Sequence, residues 1–123
     1  MKEKVLIVED NKILCDTLAS ILQKEGYSVE CSYNGKKGFQ LIKDNRFDVL
    51  VVDYKLPDIS GWVILKKFLK NRKYPSAIMI SANADNSIKE CVTRKNVLFL
   101  DKPFNNKELI SALNSISTFI KAG

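Results

Sequence analysis

The chain has 123 residues, 46% hydrophobic and 28% charged, with a net charge of +6 and no histidine. A chain of this size makes one ordinary globular domain that buries roughly two-thirds of its unfolded surface without staples, and the composition excludes a disordered segment. No apolar run approaches the ~20 residues of a membrane span, and the start MKEKVLIVED lacks the cleavage pattern of a secretory leader, so a cytoplasmic protein is expected.

The first predicted element is a strand over 4–8, KVLIV, closed by two acids. Residues 11–26 read as a helix with Ile13, Leu14, Leu18, Ile21 and Leu22 on one face and Gly26 as its stop. A strand over 27–32 follows, then a helix over 35–45 capped by Asn34 and striped by Phe39 and Ile42. Residues 47–53 read as a fully buried strand and 61–71 as a helix. A strand over 76–81, a helix over 83–96 and a strand over 97–100 come next. The last element is an amphipathic helix over 105–121, with Leu109, Ile110, Leu113, Ile116 and Ile120 inward. Strictly alternating strands and helices, with strands that are continuous apolar runs, mean an α/β fold whose parallel sheet is covered on both faces.

Two groups of residues read as bulk features. Cys15, Cys31 and Cys91 are dispersed and form no C-x-x-C pair. With histidine absent, neither a zinc site nor a disulfide framework is expected, and the three read as small packing residues. Lys66, Lys67, Lys70, Arg72 and Lys73 form the densest basic cluster. No nucleic-acid-reading motif accompanies it, so direct nucleic-acid binding is not expected, and a solvated helix face is the plainer reading.

Open α/β sheets bind ligands beyond the carboxyl ends of their strands. The residues delivered there are Glu9 and Asp10 after the first strand, Ser32 after the second, and Asp53 at the end of the third. Ser81 ends the fourth, and Asp101, Lys102 and Pro103 follow the fifth. Clustered carboxylates ionise poorly without a cation. A hard divalent ion favours oxygen ligands, usually one or two carboxylates with water and phosphate oxygens. A lysine ammonium suits phosphate, a serine hydroxyl can donate to a phosphoryl oxygen, and aspartate is a covalent phosphoryl nucleophile. Together these residues describe a site for a phosphoryl group and a metal.

The sequence resembles a two-component response regulator receiver domain over essentially its whole length, 1–123. The resemblance rests on Glu9–Asp10 after VLIV, Asp53 in VLVVDYKLPDISG, Ser81 in IMISA, and Lys102–Pro103 in LFLDKPF. Each motif is weak alone; the four in order, each at a strand end, are specific. The resemblance implies a flavodoxin-like (βα)5 three-layer sandwich with a five-stranded parallel sheet of order 2-1-3-4-5. It implies that Asp53 accepts a phosphoryl group from a sensor histidine kinase or histidine phosphotransfer protein. Asp10, Asp53 and the backbone carbonyl of Lys55 would hold Mg²⁺ (or Mn²⁺), with Glu9 acting through a metal-bound water. Lys102 would pair with Asp53 and then with the phosphoryl group, aimed by a cis Lys102–Pro103 bond. Ser81 would move to the phosphoryl oxygen and Phe99 would turn inward with it, changing the surface of the fourth helix, fifth strand and fifth helix that binds an output partner. Lys55 and Asn83 would modulate dephosphorylation. Such a domain promotes its own phosphorylation and dephosphorylation without being a conventional enzyme.

Three features depart from the family pattern. Glu9 replaces the usual first aspartate. The segment TRKNVLFL lacks the usual Gly-Ala turn. Val97 and Leu98 stand where the winged-helix subfamily carries acids, which puts its dimer mode in doubt and leaves more apolar surface near the fifth strand. The runner-up reading is a non-phosphorylated pseudo-receiver, a protein-binding module. A flavodoxin-like cofactor carrier would need a Gly/Ser/Thr loop where EDNKI stands, and a haloacid-dehalogenase-like phosphatase a second aspartate at position 55, which is lysine. The output partner could be a separate protein or a C-terminal effector domain missing from this chain.

Overall fold

In the computed structural model, which describes residues 3–70, 72, 76–82, 86–94 and 97–122, ten elements alternate along the chain. They are β1 (Lys4–Val8), α1 (Lys12–Lys24), β2 (Ser28–Ser32), α2 (Gly35–Asp44), β3 (Val49–Asp53), α3 (Gly61–Leu69), β4 (Ala77–Ser81), α4 (Asn86–Arg94), β5 (Leu98–Asp101) and α5 (Asn106–Ala122). The strands form one sheet in the order β2-β1-β3-β4-β5, every pair parallel. This is the flavodoxin-like order expected from the sequence.

The period of two in a strand divides the core in two. Val5 and Ile7, Val49 and Val51, and Ile78 and Ile80 face α1 and α5, where Cys15, Leu18, Leu22, Leu109, Leu113 and Ile116 meet them. Leu6 and Val8, Leu50 and Val52, and Ala77 and Met79 face the other way, onto Ile64, Leu65 and Phe68 of α3 and Val92 of α4. β1, β3 and β4 are therefore apolar on both faces, and each fully buried large side chain stabilises the fold by about 1.5–3 kcal/mol.

Local signals set the helix starts. Asn11, Asn34 and Ser60 each accept a backbone N–H of the first turn, from Leu14, Lys37 and Trp62 respectively. Asn105 accepts from the Glu108 N–H while Glu108 accepts from the Asn105 N–H, a reciprocal capping box that opens α5. Gly26, at φ 96°, turns the chain out of α1 in a conformation that other residues avoid.

Several expectations are corrected. Ile13 does not share the inward face of α1; it is 81% exposed. Nine positions separate it from buried Leu22, and at ~100° per residue they lie about 180° apart on the helix. Cys15 is buried and Cys31 half-buried, but Cys91 is exposed on α4 and does not pack. Val97 is buried in the core against α3 and α4, so of the Val97–Leu98 pair only Leu98 adds apolar surface. Phe47 and Asp48 precede β3 rather than opening it, and β5 is shifted forward by one residue, taking in Asp101. Of the helix expected over 83–96, α4 takes the described residues Asn86–Arg94; 83–85 and 95–96 lie outside the described residues.

Candidate functional site

The register brings the strand ends together. Val8 pairs with Val52, so Glu9 follows level with Asp53, while Asp53 pairs with Ile80 and Ser81 with Asp101. The ladder runs on past the strands: Glu9 N–H donates to Ser32 O, Tyr54 N–H to Ile80 O and Lys102 N–H to Ser81 O. The side chains around these ends thus sit on rigid, hydrogen-bonded backbone.

Glu9 is 1% exposed and Asp53 4% exposed, whereas Asp10 faces solvent. The Lys102 ammonium lies 2.7 Å from Glu9 Oε1 and 2.7 Å from Asp53 Oδ2. Glu9 Oε2 accepts the Asn11 N–H at 3.1 Å, and Asp53 Oδ1 accepts the Lys55 N–H at 3.0 Å. Carboxylate oxygens of Glu9, Asp10 and Asp53 all lie within 4.8 Å of one another. Burial pushes the Glu9 carboxyl up, and its bonds to Lys102 and the Asn11 amide only partly pull it back. Burial on its own would lower Lys102, but its bonds to Asp53 and Glu9 win and hold the ammonium above its ordinary value. One ammonium faces three carboxylic side chains, so the cluster has room for further positive charge. Its all-oxygen donor set fits a hard divalent cation.

The loop after Asp53 is held from two sides. An added Cβ on Gly61 would stand 2.1 Å from Asp53 O, so only glycine lets the start of α3 pass the backbone of Asp53. The Asp58 carboxylate accepts the N–H groups of Gly35 (2.9 Å) and Lys36 (2.8 Å), capping α2 from a loop more than twenty positions away. Burial, the largest single influence, opposes its ionised form, but the backbone N–H groups of Lys36, Gly35, Ile59 and Asp58 together hold the carboxyl below its ordinary value. The sequence marked Asp58 and Gly61 only as turn residues; their roles depend on a non-local approach that no local pattern encodes.

Ser81 is fully buried, and its Oγ donates to Ala82 O at 3.1 Å. Phe99 is half-buried against the α3–α4 side of the core, with Lys89 Nζ 5.6 Å from its ring centre. Lys89 also pairs with Asp101 at 2.9 Å, which turns Asp101 away from the carboxylate cluster. Ser32 is likewise not part of the cluster, since its Oγ donates to Asn34 O. The Lys102–Pro103 bond is cis. Lys55 is exposed beside the site, and Asn83 lies outside the described residues. The structure therefore gathers Glu9, Asp10, Asp53 and Lys102 directly, with Ser81 at the adjoining strand end.

Comparison with known proteins follows the same lines. The family described as "Response regulator receiver domain" matches residues 5–114. Regulatory protein VanRc of Enterococcus gallinarum is 30% identical over 118 residues, covering 94% of this chain but 50% of that protein. The chain thus spans about half the length of that curated relative. The CheY-like response regulator receiver domain protein of Methanospirillum hungatei superposes with a TM-score of 0.88 at 27% identity over 100% of both chains. The non-phosphorylated HemR receiver domain of Leptospira biflexa does so with a TM-score of 0.86 at 28% identity, covering 95% of each chain. With sequence match, strand order and strand-end chemistry in agreement, the chain belongs to the response regulator receiver domains of two-component signalling, signalling proteins rather than conventional enzymes.

Proposed function

We propose that Asp53 is the phosphoacceptor of this receiver and that Lys102, Ser81 and the acidic cluster serve the transfer. The observation that carries this reading is the Lys102 ammonium, bonded at 2.7 Å to Asp53 and to Glu9 beside a third carboxylate. An Asp53 oxygen attacks phosphorus in line. The P–N bond of a phosphohistidine on a sensor kinase or phosphotransfer protein breaks, and its electron pair returns to the imidazole, which takes up a proton. Lys102 neutralises equatorial phosphoryl oxygens as they approach, and buried Asp53 is held from behind by the Lys55 amide. Receiver domains typically bind Mg²⁺ at an acidic pocket; here Asp10, Asp53 and the Lys55 carbonyl would hold it, with Glu9 behind them. Bound there, Mg²⁺ (or Mn²⁺) supplies positive charge against the phosphoryl oxygens.

The phosphoryl group adds about −1.5 to −2 charges at neutral pH. Ser81 answers it by turning its hydroxyl from Ala82 O toward a phosphoryl oxygen, and Phe99 follows into the space vacated. The altered face of α4, β5 and α5 is then offered to an output protein or effector domain. Lys55, exposed beside the site, and Asn83 tune hydrolysis of the phosphoaspartate. Residues 1–123 act as one receiver unit in the cytoplasm; among the described residues no helix is long and apolar enough to cross a membrane.

The test is incubation with acetyl phosphate and Mg²⁺, read by intact mass, beside Asp53→Asn and a metal-free control. With this donor the P–O bond to the acyl group breaks and acetate leaves. A phosphoryl-sized gain that needs both Asp53 and metal is expected. No gain in folded protein, even with a competent kinase, would overturn the reading in favour of a pseudo-receiver that acts only by binding.

A further inference from the structure

The basic cluster singled out in the sequence plays no part in the site above. Three of its residues, Lys67, Lys70 and Arg72, border a cavity of about 360 Å³ between the carboxyl-terminal ends of α2 and α3, while Lys73 lies outside the described residues. We propose that this cavity is an anion site that takes a small ligand with adjacent phosphates, of the pyrophosphate or nucleoside-diphosphate class. It lies at the pole away from Asp53: Phe47, in its lining, precedes β3, and Asp53 ends it. The strand between spans roughly 13 Å, so the two sites are distinct.

Lys43, Lys67, Lys70 and Arg72 line the cavity together with Phe47 and Phe68. Arg72 is held in place. Its Nε donates to Phe68 O at 2.9 Å, Nη1 to Asp48 O at 3.3 Å and Nη2 to Phe47 O, while the guanidinium carbon sits 3.7 Å from the centre of the Phe68 ring. A guanidinium has five N–H donors, so three carbonyl bonds leave two for a ligand. Two acids lie nearby: Asp48 accepts the Lys4 N–H at 2.9 Å and offsets part of the Arg72 charge, and Asp44 accepts from Gln40.

One further effect opposes an anion here. The carboxyl ends of α2 and α3 each carry roughly half a negative charge, and basic residues in a last helical turn, such as Lys43 and Lys67, already offset it. That accounts for about one unit of charge, against four lining cations. Arg72 also serves the end of α3 through its bond to Phe68 O, but with Lys70 at the C-cap the lining still carries more positive charge than the two helix ends offset. The volume is at the small-ligand end of the usual ~300–1,000 Å³ range, too confined for an extended nucleic-acid backbone.

Pyrophosphate and ADP would be titrated into the full chain with a chelator present, removing any metal-assisted route to Asp53, and followed by calorimetry and amide chemical shifts. Saturable binding with shifts centred on residues 43–47 and 67–72 is expected. The exposed double variant Lys67→Gln/Lys70→Gln should weaken binding roughly tenfold or more, and the equal-charge control Lys36→Gln/Lys37→Gln by less than about twofold. ADP binding tighter than pyrophosphate would identify a nucleotide ligand, and equal affinity a bare diphosphate. Shifts centred on Asp53 and Lys102, equal loss in both double variants, tighter binding of a single-stranded oligonucleotide, or no saturable binding would each overturn the proposal.

Discussion

Lys102 Nζ and Glu9 Oε1 meet at 2.7 Å although 93 positions separate them in the chain. Glu9 is almost wholly buried, and Lys102 retains 23% side-chain exposure. Removing the ammonium by Lys102→Ala strands two buried carboxyl groups. Chemical denaturation should show a loss of about 1–3 kcal/mol in metal-free protein, because a charged acceptor left without its donor bears the desolvation cost. Adding Mg²⁺ should raise the melting temperature of the variant more than that of the wild type, since the metal no longer competes with the ammonium. Equal shifts in both would show that Lys102 and metal do not share these carboxylates. Lys102 is raised above its ordinary value of 10.5, so its contribution is fully present below that pH and lost as pH rises through the folded-state value.

Gly61 and Asp53 touch through backbone alone. Gly61→Ala forces a Cβ to within 2.1 Å of Asp53 O unless the chain moves. The expected cost is about 1–3 kcal/mol, as for an overpacked site. The amide resonances of Asp53, Tyr54 and Lys55 should shift, and phosphoryl uptake should fall. A variant as stable as wild type with an unmoved Asp53 amide would contradict the close approach.

Asp58 should show its cap in a pH profile. Asp58→Ala is expected to cost about 1 kcal/mol at neutral pH, the usual worth of a capping side chain. The folded carboxyl lies below its ordinary 3.8, so this stabilisation is present above that pH and is lost as pH falls through the folded-state value. Wild-type and variant stabilities measured from neutral to strongly acidic pH should therefore converge only below 3.8. A constant gap across the range would mean that the carboxylate does not cap α2.

Ser81→Ala separates resting structure from response. Ser81 Oγ bonds only its neighbour's carbonyl among its described contacts, and the change in stability should stay within about 1.5 kcal/mol. With Mg²⁺ and beryllofluoride, a phosphoryl mimic, the wild type should show chemical-shift changes at Phe99 that the variant largely lacks. Undiminished changes at Phe99 would remove Ser81 from the switch.

How much of this could be read from the sequence depended on whether a feature was periodic or non-local. The strands of β1, β3 and β4 are short apolar runs between turn signals, with Glu9 and Asp10 directly after β1, Asp53 ending β3 and Lys102 directly after β5, so fold and cluster were both legible. Ile13 misled because apolarity was counted without its helical angle. Val97 misled because a family position was compared without the alternation that turns it into the core. Asp58 reaches an N-terminus more than twenty residues away, Gly61 yields to a backbone it does not adjoin in sequence, and Arg72 clamps carbonyls from two separate segments. Such contacts exist only once the elements have docked.

The strand register has a consequence for a chain still being made. Glu9, Asp10 and Asp53 leave the ribosome well before Lys102, which depends on β5 docking against β4. Until that last strand is seated, the acidic residues lack their ammonium, and a one-residue slip in any pairing would turn the strand's side chains to the wrong face. If the site acts as proposed, a nascent or misregistered chain would not answer a phosphodonor. Competence would arrive with the final strand, and the ability to receive a signal would certify that the whole sheet has been built.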